Sequence, residues 1–170
     1  RAYSQRLETP STHIDKDALI EMACAGGFPE ATLLEGRRRK RWHTDYIDAI
    51  LERDLRDITR IQRLDAMQEL IRILAAWSSK FMNVAKIGAG LSIQKPTLLS
   101  YINALEALFL VERVKAWTRT DYEKVGKQDK LYMADSGLMA SMLGLNPDQV
   151  RFDVDRAGKV VETFAFNEIA

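Results

Sequence analysis

Apolar residues along this chain recur mainly at helical spacing. Trp42, Tyr46 and Ile50 fall four apart, with Ile47, Leu51, Leu55 and Ile58 beside them, which predicts a long amphipathic helix. Leu64, Met67, Leu70, Ile71, Leu74 and Trp77 predict a second, ended by Ser78, Ser79 and Lys80. Upstream, Asp15 is placed to cap a short helix running to about Ala25, with Ile20, Ala23 and Cys24 on one face. Gly26 and Gly27 stop it, and Pro29 imposes a turn. Two shorter helical patterns follow. Asn83 can cap the first, which carries Val84, Ile87 and Leu91; the second starts near Pro96 and carries Leu98, Leu99, Ile102, Leu105 and Leu108. The short gap between them suits a helix-turn-helix.

The period then changes. Leu110 to Trp117 is β-branched or alternating over part of its length, and Leu131 to Met133 is a second strand candidate. A polar stretch from Thr118 to Lys130 lies between. A helix pair followed by strand, basic loop and strand is the pattern of a winged helix. Asp135-Ser136-Gly137 signals a turn, with Ser136 as the cap of a short helix through Leu143; Val160, Val161, Phe164 and Ile169 mark a last helix. The fold class expected is α+β, mainly α: a helical bundle with a winged helix-turn-helix and a small β wing.

Composition narrows the picture. The 46% apolar and 29% charged residues are ordinary for a globular protein, and the net charge is only +1. That sum hides a pattern, because residues 61–130 carry 11 basic and 7 acidic side chains. The basic share lies on the helix-turn-helix and its wing. One cysteine, Cys24, excludes an internal disulfide and fits a reducing, cytoplasmic setting. Apolar runs such as Ala107 to Val111 are too short to span a bilayer, so no membrane partner is expected. Gly126-Lys127 is followed by Gln128 and Gly158-Lys159 by Val160, so no phosphate loop of the form GxxxxGK[ST] is present. His13, His43 and Cys24 do not make a spaced zinc cluster.

The winged helix carries the strongest chemical signal. A recognition helix lies in the major groove and presents its N-terminal residues to base edges. Those residues are Gln94, Lys95, Thr97, Ser100 and Tyr101. The loop offers Arg119, Lys124, Lys127 and Lys130 to phosphates, although Asp121, Glu123 and Asp129 dilute its charge. The same fold also serves as a protein-docking module. The run RRRKR at 37–41 could contact phosphate or be the solvated entry to a helix, where cations are misplaced for the helix dipole. Glu162 and Glu168 could help hold magnesium, but six positions apart they lean to different faces.

Several motifs together resemble a family. GGFPEA at 26–31, the Arg41-Trp42 pair leading into DYIDAILERDLRDI at 45–58, LEALFLV at 105–111, KLYMADSGLMASMLGL at 130–145 and GKVVETFAFNEI at 158–169 are similar to the conserved C-terminal region of bacterial and archaeal AAA-type ATPases. The resemblance implies that residues 1–35 are the remnant of an ATPase helical lid, 36–133 a helical region with the winged helix-turn-helix, and 134–170 the start of a truncated, nuclease-like α/β unit. It implies ATP and magnesium for a parent ATPase, with no cofactor in this stretch. It makes Glu162 a metal ligand only where further strands complete a site. The function expected is a non-catalytic binding region contacting DNA. The alternatives are a self-association or protein-interaction module, or part of a metal-dependent nuclease.

Overall fold

In a computed structural model of the chain, residues 14–53, 64–117 and 128–170 are described. The protein is α+β and mainly α. Its helices are α1 (Lys16–Ala25), α2 (Pro29–Thr32), α3 (Gly36–Arg53), α4 (Leu64–Trp77), α5 (Val84–Gly88), α6 (Lys95–Ala107), α7 (Ser136–Leu143), α8 (Pro147–Arg151) and α9 (Val154–Ile169). Three short strands complete it: β1 (Lys80–Phe81), β2 (Val111–Val114) and β3 (Lys130–Met133). They form an antiparallel sheet in the order β1-β3-β2, with Lys80 opposite Leu131 and Val111 opposite Met133.

Helix α7 sits at the centre. Its sequence, SGLMASML, is apolar or small on every side, and a helix of that kind is stable only when surrounded. Ser136 through Ser141 are all buried, and α1, α3, α4 and α9 pack around them. Asp135, not Ser136, caps this helix: its carboxylate accepts from Leu138 N at 2.6 Å. The same carboxylate accepts from Gly27 N at 2.6 Å, 108 positions away. Asp135 therefore ties the end of α1 to the start of α7, and the carboxylate is the better cap because it can take both donors at once.

Two glycines make that junction possible. A Cβ on Gly137 would collide with the carbonyl of Ala25, and Gly26 ends α1 at φ 77°, a backbone geometry that suits glycine. Pro29 begins the short helix α2 instead of merely turning the chain, since its fixed φ suits a first helical position. Phe28 then reaches α3, with ring centroids 4.8 Å from Tyr46 and 5.4 Å from Trp42. Trp42 and Tyr46, one helical turn apart, stack at 5.3 Å.

One hydrophobic cluster runs through the described residues. It joins Ile20 and Cys24 of α1, Ile47 and Leu51 of α3, Met67, Leu70, Ile71 and Leu74 of α4, Ile102 and Leu105 of α6, and Val160 of α9. Described residues from each of the stretches 1–35, 36–133 and 134–170 thus contribute to the same core. Among the described residues no helix is long and apolar enough to cross a membrane.

Candidate nucleic-acid interface

The helix pair begins at a side-chain cap. Asn83 accepts from Lys86 N at 3.0 Å and so starts α5. Gly88 lets α6 approach: a Cβ there would lie 2.9 Å from Leu98 Cδ2. Ile87, Leu91, Leu98, Ile102 and Leu105 bury the inner faces of the pair. Gln94 holds the N-cap position of α6 without a side-chain capping bond, and Pro96 occupies the first turn.

The sequence-selected residues separate by face. Gln94, Lys95, Thr97 and Ser100 are all exposed on the first turns of α6, and no acidic residue accompanies them there. Tyr101 is not with them. It is 8% exposed and belongs to the core, because it shares the stripe that Leu98, Ile102 and Leu105 turn inward. Arg119, Lys124 and Lys127 lie outside the described residues. Lys130 is turned to internal work: its ammonium pairs with the Glu162 carboxylate and sits 5.9 Å from the Phe81 ring and 5.7 Å from the Tyr132 ring. Lys86, half a helix pair away on α5, is exposed and has no anionic partner among the described residues. Reading only the second helix and the loop passes over it.

The base of α6 is clamped to the sheet. Arg113 donates Nε to Glu106 Oε2 at 3.0 Å and a terminal amino group to Asn103 Oδ1 at 2.9 Å. The Arg113 guanidinium holds the Glu106 carboxyl below the usual carboxylate range. Helix orientation relative to β2 is thereby set by a charged fork as well as by apolar contact.

The carboxylates of α9 do not converge. Glu162 accepts from Tyr132 Oη at 2.7 Å as well as from Lys130. Burial works to raise its pKa, but the bonds from Lys130 and Tyr132 outweigh that and hold the carboxyl below the usual range. Glu168 faces a different hollow, lined also by Gly27, Asp135 and Asn167. No group of three or more His, Cys, Asp or Glu side chains placed to hold a metal exists among the described residues. Glu162, exposed on α9, joins that helix to β3. A second link is buried: Ser78 Oγ meets Thr163 Oγ1 at 2.9 Å and accepts from Met133 N at 3.0 Å.

Comparison with known proteins adds a family. Residues 16–149 match a family described as a domain of unknown function, DUF8612. The uncharacterized protein Rv2008c of Mycobacterium tuberculosis and the uncharacterized protein Mb2031c of Mycobacterium bovis are each 23% identical over 146 residues. That stretch is 85% of this chain and 33% of either mycobacterial protein, so the chain spans about a third of the length of these relatives. No solved structure matches the chain.

Proposed function

We propose that this chain, which belongs to the DUF8612 family of domains of unknown function, is a non-catalytic binding region that contacts DNA through a winged helix. In this reading α5 and α6 form the helix-turn-helix and β1, β2 and β3 form its sheet. One observation carries it: Gln94, Lys95, Thr97 and Ser100 project together from the start of α6, exposed and without a neighbouring acid. Those side chains can serve both readout modes. Gln pairs with adenine, Lys with guanine or phosphate, and the hydroxyls with either. Lys86 on α5 is suited to a backbone phosphate. A resemblance to the C-terminal region of AAA-type ATPases extends the proposal. The parent would then bind ATP and magnesium in a separate core, and this region would place it on its partner.

The test is titration of a fluorescent DNA duplex at low salt. Lys95→Ala is expected to weaken binding across sequences and to reduce the slope of log K against log salt by about 1. Lys124→Ala with Lys127→Ala should flatten the slope further. Absence of measurable duplex binding by the unmodified chain would overturn the proposal.

A second reading has its own support. Phe152, which follows α8, and Val154, which opens α9, are 91% and 85% exposed. Large apolar side chains left in water favour a protein-interaction or self-association surface. Concentration-dependent dimerisation in sedimentation, unchanged by added DNA and lost in Phe152→Ser, would favour that reading over the first.

A further inference from the structure

The basic run at 37–41 lies inside α3, on its first turns; no acidic residue lies within the first turn, and the exposed Glu35 just precedes it without lining the adjoining cleft. Cations there oppose the helix dipole, so the arrangement is unfavourable unless something anionic completes it. Arg41 has a partner in Asp45, 3.7 Å away. Arg39 is steadied by its Nε donating to the carbonyl of Ala31 at 3.0 Å, which leaves its terminal amino groups for another acceptor. Arg37 and Lys40 have no carboxylate partner among the described residues.

These three cations meet in a cleft. A hollow of about 290 Å³ lies between the start of α3 and the turn joining α7 to α8, lined by Arg37, Arg39, Lys40, Ser141, Gly144 and Asn146 among others. None of its lining residues is acidic. Lys40, Ser141 and Gly144 also line an adjoining hollow of about 490 Å³ that contains Arg72. The single carboxylate there, Asp48, already accepts from Gln68 Nε2 at 2.7 Å. Gly144, whose φ of 65° suits glycine, ends α7 beside Lys40 and brings the turn to the lysine. Cys24 borders the first hollow, and burial pushes its thiol up to about 11, so it adds no negative charge at neutral pH. Ser141 is held by His43, Nδ1 to Oγ at 2.7 Å. With that ring nitrogen protonated, the serine hydroxyl is free to donate toward the hollow.

We propose that this cleft binds a small phosphoanion, either free pyrophosphate or the polyphosphate tail of a nucleotide, through Arg37, Arg39 and Lys40. Two guanidinium forks and one ammonium around a concave pocket suit several phosphate oxygens at short range. A recessed pocket of this size fits a small ligand better than the extended backbone of a duplex.

The experiment titrates the full chain with inorganic pyrophosphate, by calorimetry and by thermal shift, with sodium chloride at matched ionic strength as the control. Saturable binding and a raised Tm are expected, and Arg37→Gln with Lys40→Gln should weaken binding about tenfold or more. Both positions are exposed, so the fold should persist, which circular dichroism checks. Lys95→Ala should leave pyrophosphate binding unchanged, so that failure here is separable from failure of the DNA reading. A nucleoside triphosphate that binds more tightly than pyrophosphate identifies the tail as the source, whereas equal or weaker binding identifies the free anion. No saturable binding, an equal effect of sodium chloride, or unchanged affinity in the double variant would overturn the proposal. So would displacement of pyrophosphate by a DNA duplex whose own binding falls in the same variant, since the run would then serve a nucleic-acid backbone.

Discussion

His43 is fully buried, and its Nδ1 is the hydrogen-bond partner of Ser141. Burial, with the charge of Arg39 added, lowers its pKa from 6.5 to about 4. The sign of the consequence follows from proton binding. Between those two values the unfolded chain takes up a proton that the folded chain resists, so stability falls as pH falls through that window. The expected loss from this residue is about 2 kcal/mol between pH 7 and pH 5. Urea unfolding at the two values measures it, and His43→Asn should flatten that part of the profile whatever it does to absolute stability. In the sequence His43 is one of two isolated histidines. Its helical stripe suggests an inward position, but nothing in the sequence places Ser141 against it, because the two are 98 positions apart. Tyr101 makes the opposite point. Its helical position alone places it beside Leu98, Ile102 and Leu105, so its burial was legible from spacing, and only its polar hydroxyl suggests an outward role.

At the scale of elements, α7 depends on close approach more than on propensity. Gly137 abuts the carbonyl of Ala25, and backbone cannot yield as a flexible side chain does. Gly137→Ala is accordingly expected to destabilise by about 1–3 kcal/mol, the range of an overpacked core position that forces backbone to shift. Denaturant unfolding of the variant checks this, and a change under about 0.5 kcal/mol, typical of surface substitutions, would show that the junction is looser than its geometry implies. The pattern of α3, α4, α6 and α9 was readable because each has one apolar stripe at the helical period. For α7 the period carries little information, since the helix is buried all round and its cap is chosen by a contact with Gly27. The strand at 111–114 ends sooner than the alternation from Leu110 to Trp117 suggests, because pairing with β3 stops at Lys130. Backbone pairing, and not side-chain alternation, bounds a strand.

Across the whole molecule, the first and last described helices share a core. Helix α1 packs on α7, α8 and α9, while α4 packs on α7 and β3. Arg151 of α8 adds ion pairs to Asp17 at 3.4 Å and Glu21 at 2.5 Å on α1. A continuous core of this kind predicts one cooperative transition, with tryptophan fluorescence and far-ultraviolet circular dichroism melting together. Distinct melting of the helix pair and sheet from the rest would count against a shared core. The candidate DNA face and the basic cleft also belong to this scale. The face at Gln94, Lys95, Thr97 and Ser100 could be anticipated, because consecutive helical positions are local. The cleft could not, because Arg37, Ser141 and Asn146 come together only when α3 lies against α7.

The sequence by itself determined much of the local structure: the longer amphipathic helices, where Asp15, Asn83 and Gly26 start or stop helices, and which exposed residues open α6. These follow from period and capping, which act over a few residues. Only the tertiary structure decided that Asp135 joins the GGFP and ADSG segments, that Lys130 pairs with Glu162, and that the basic run borders a cleft. Those contacts link residues far apart along the chain, and their partners are selected by packing, which no short-range pattern encodes.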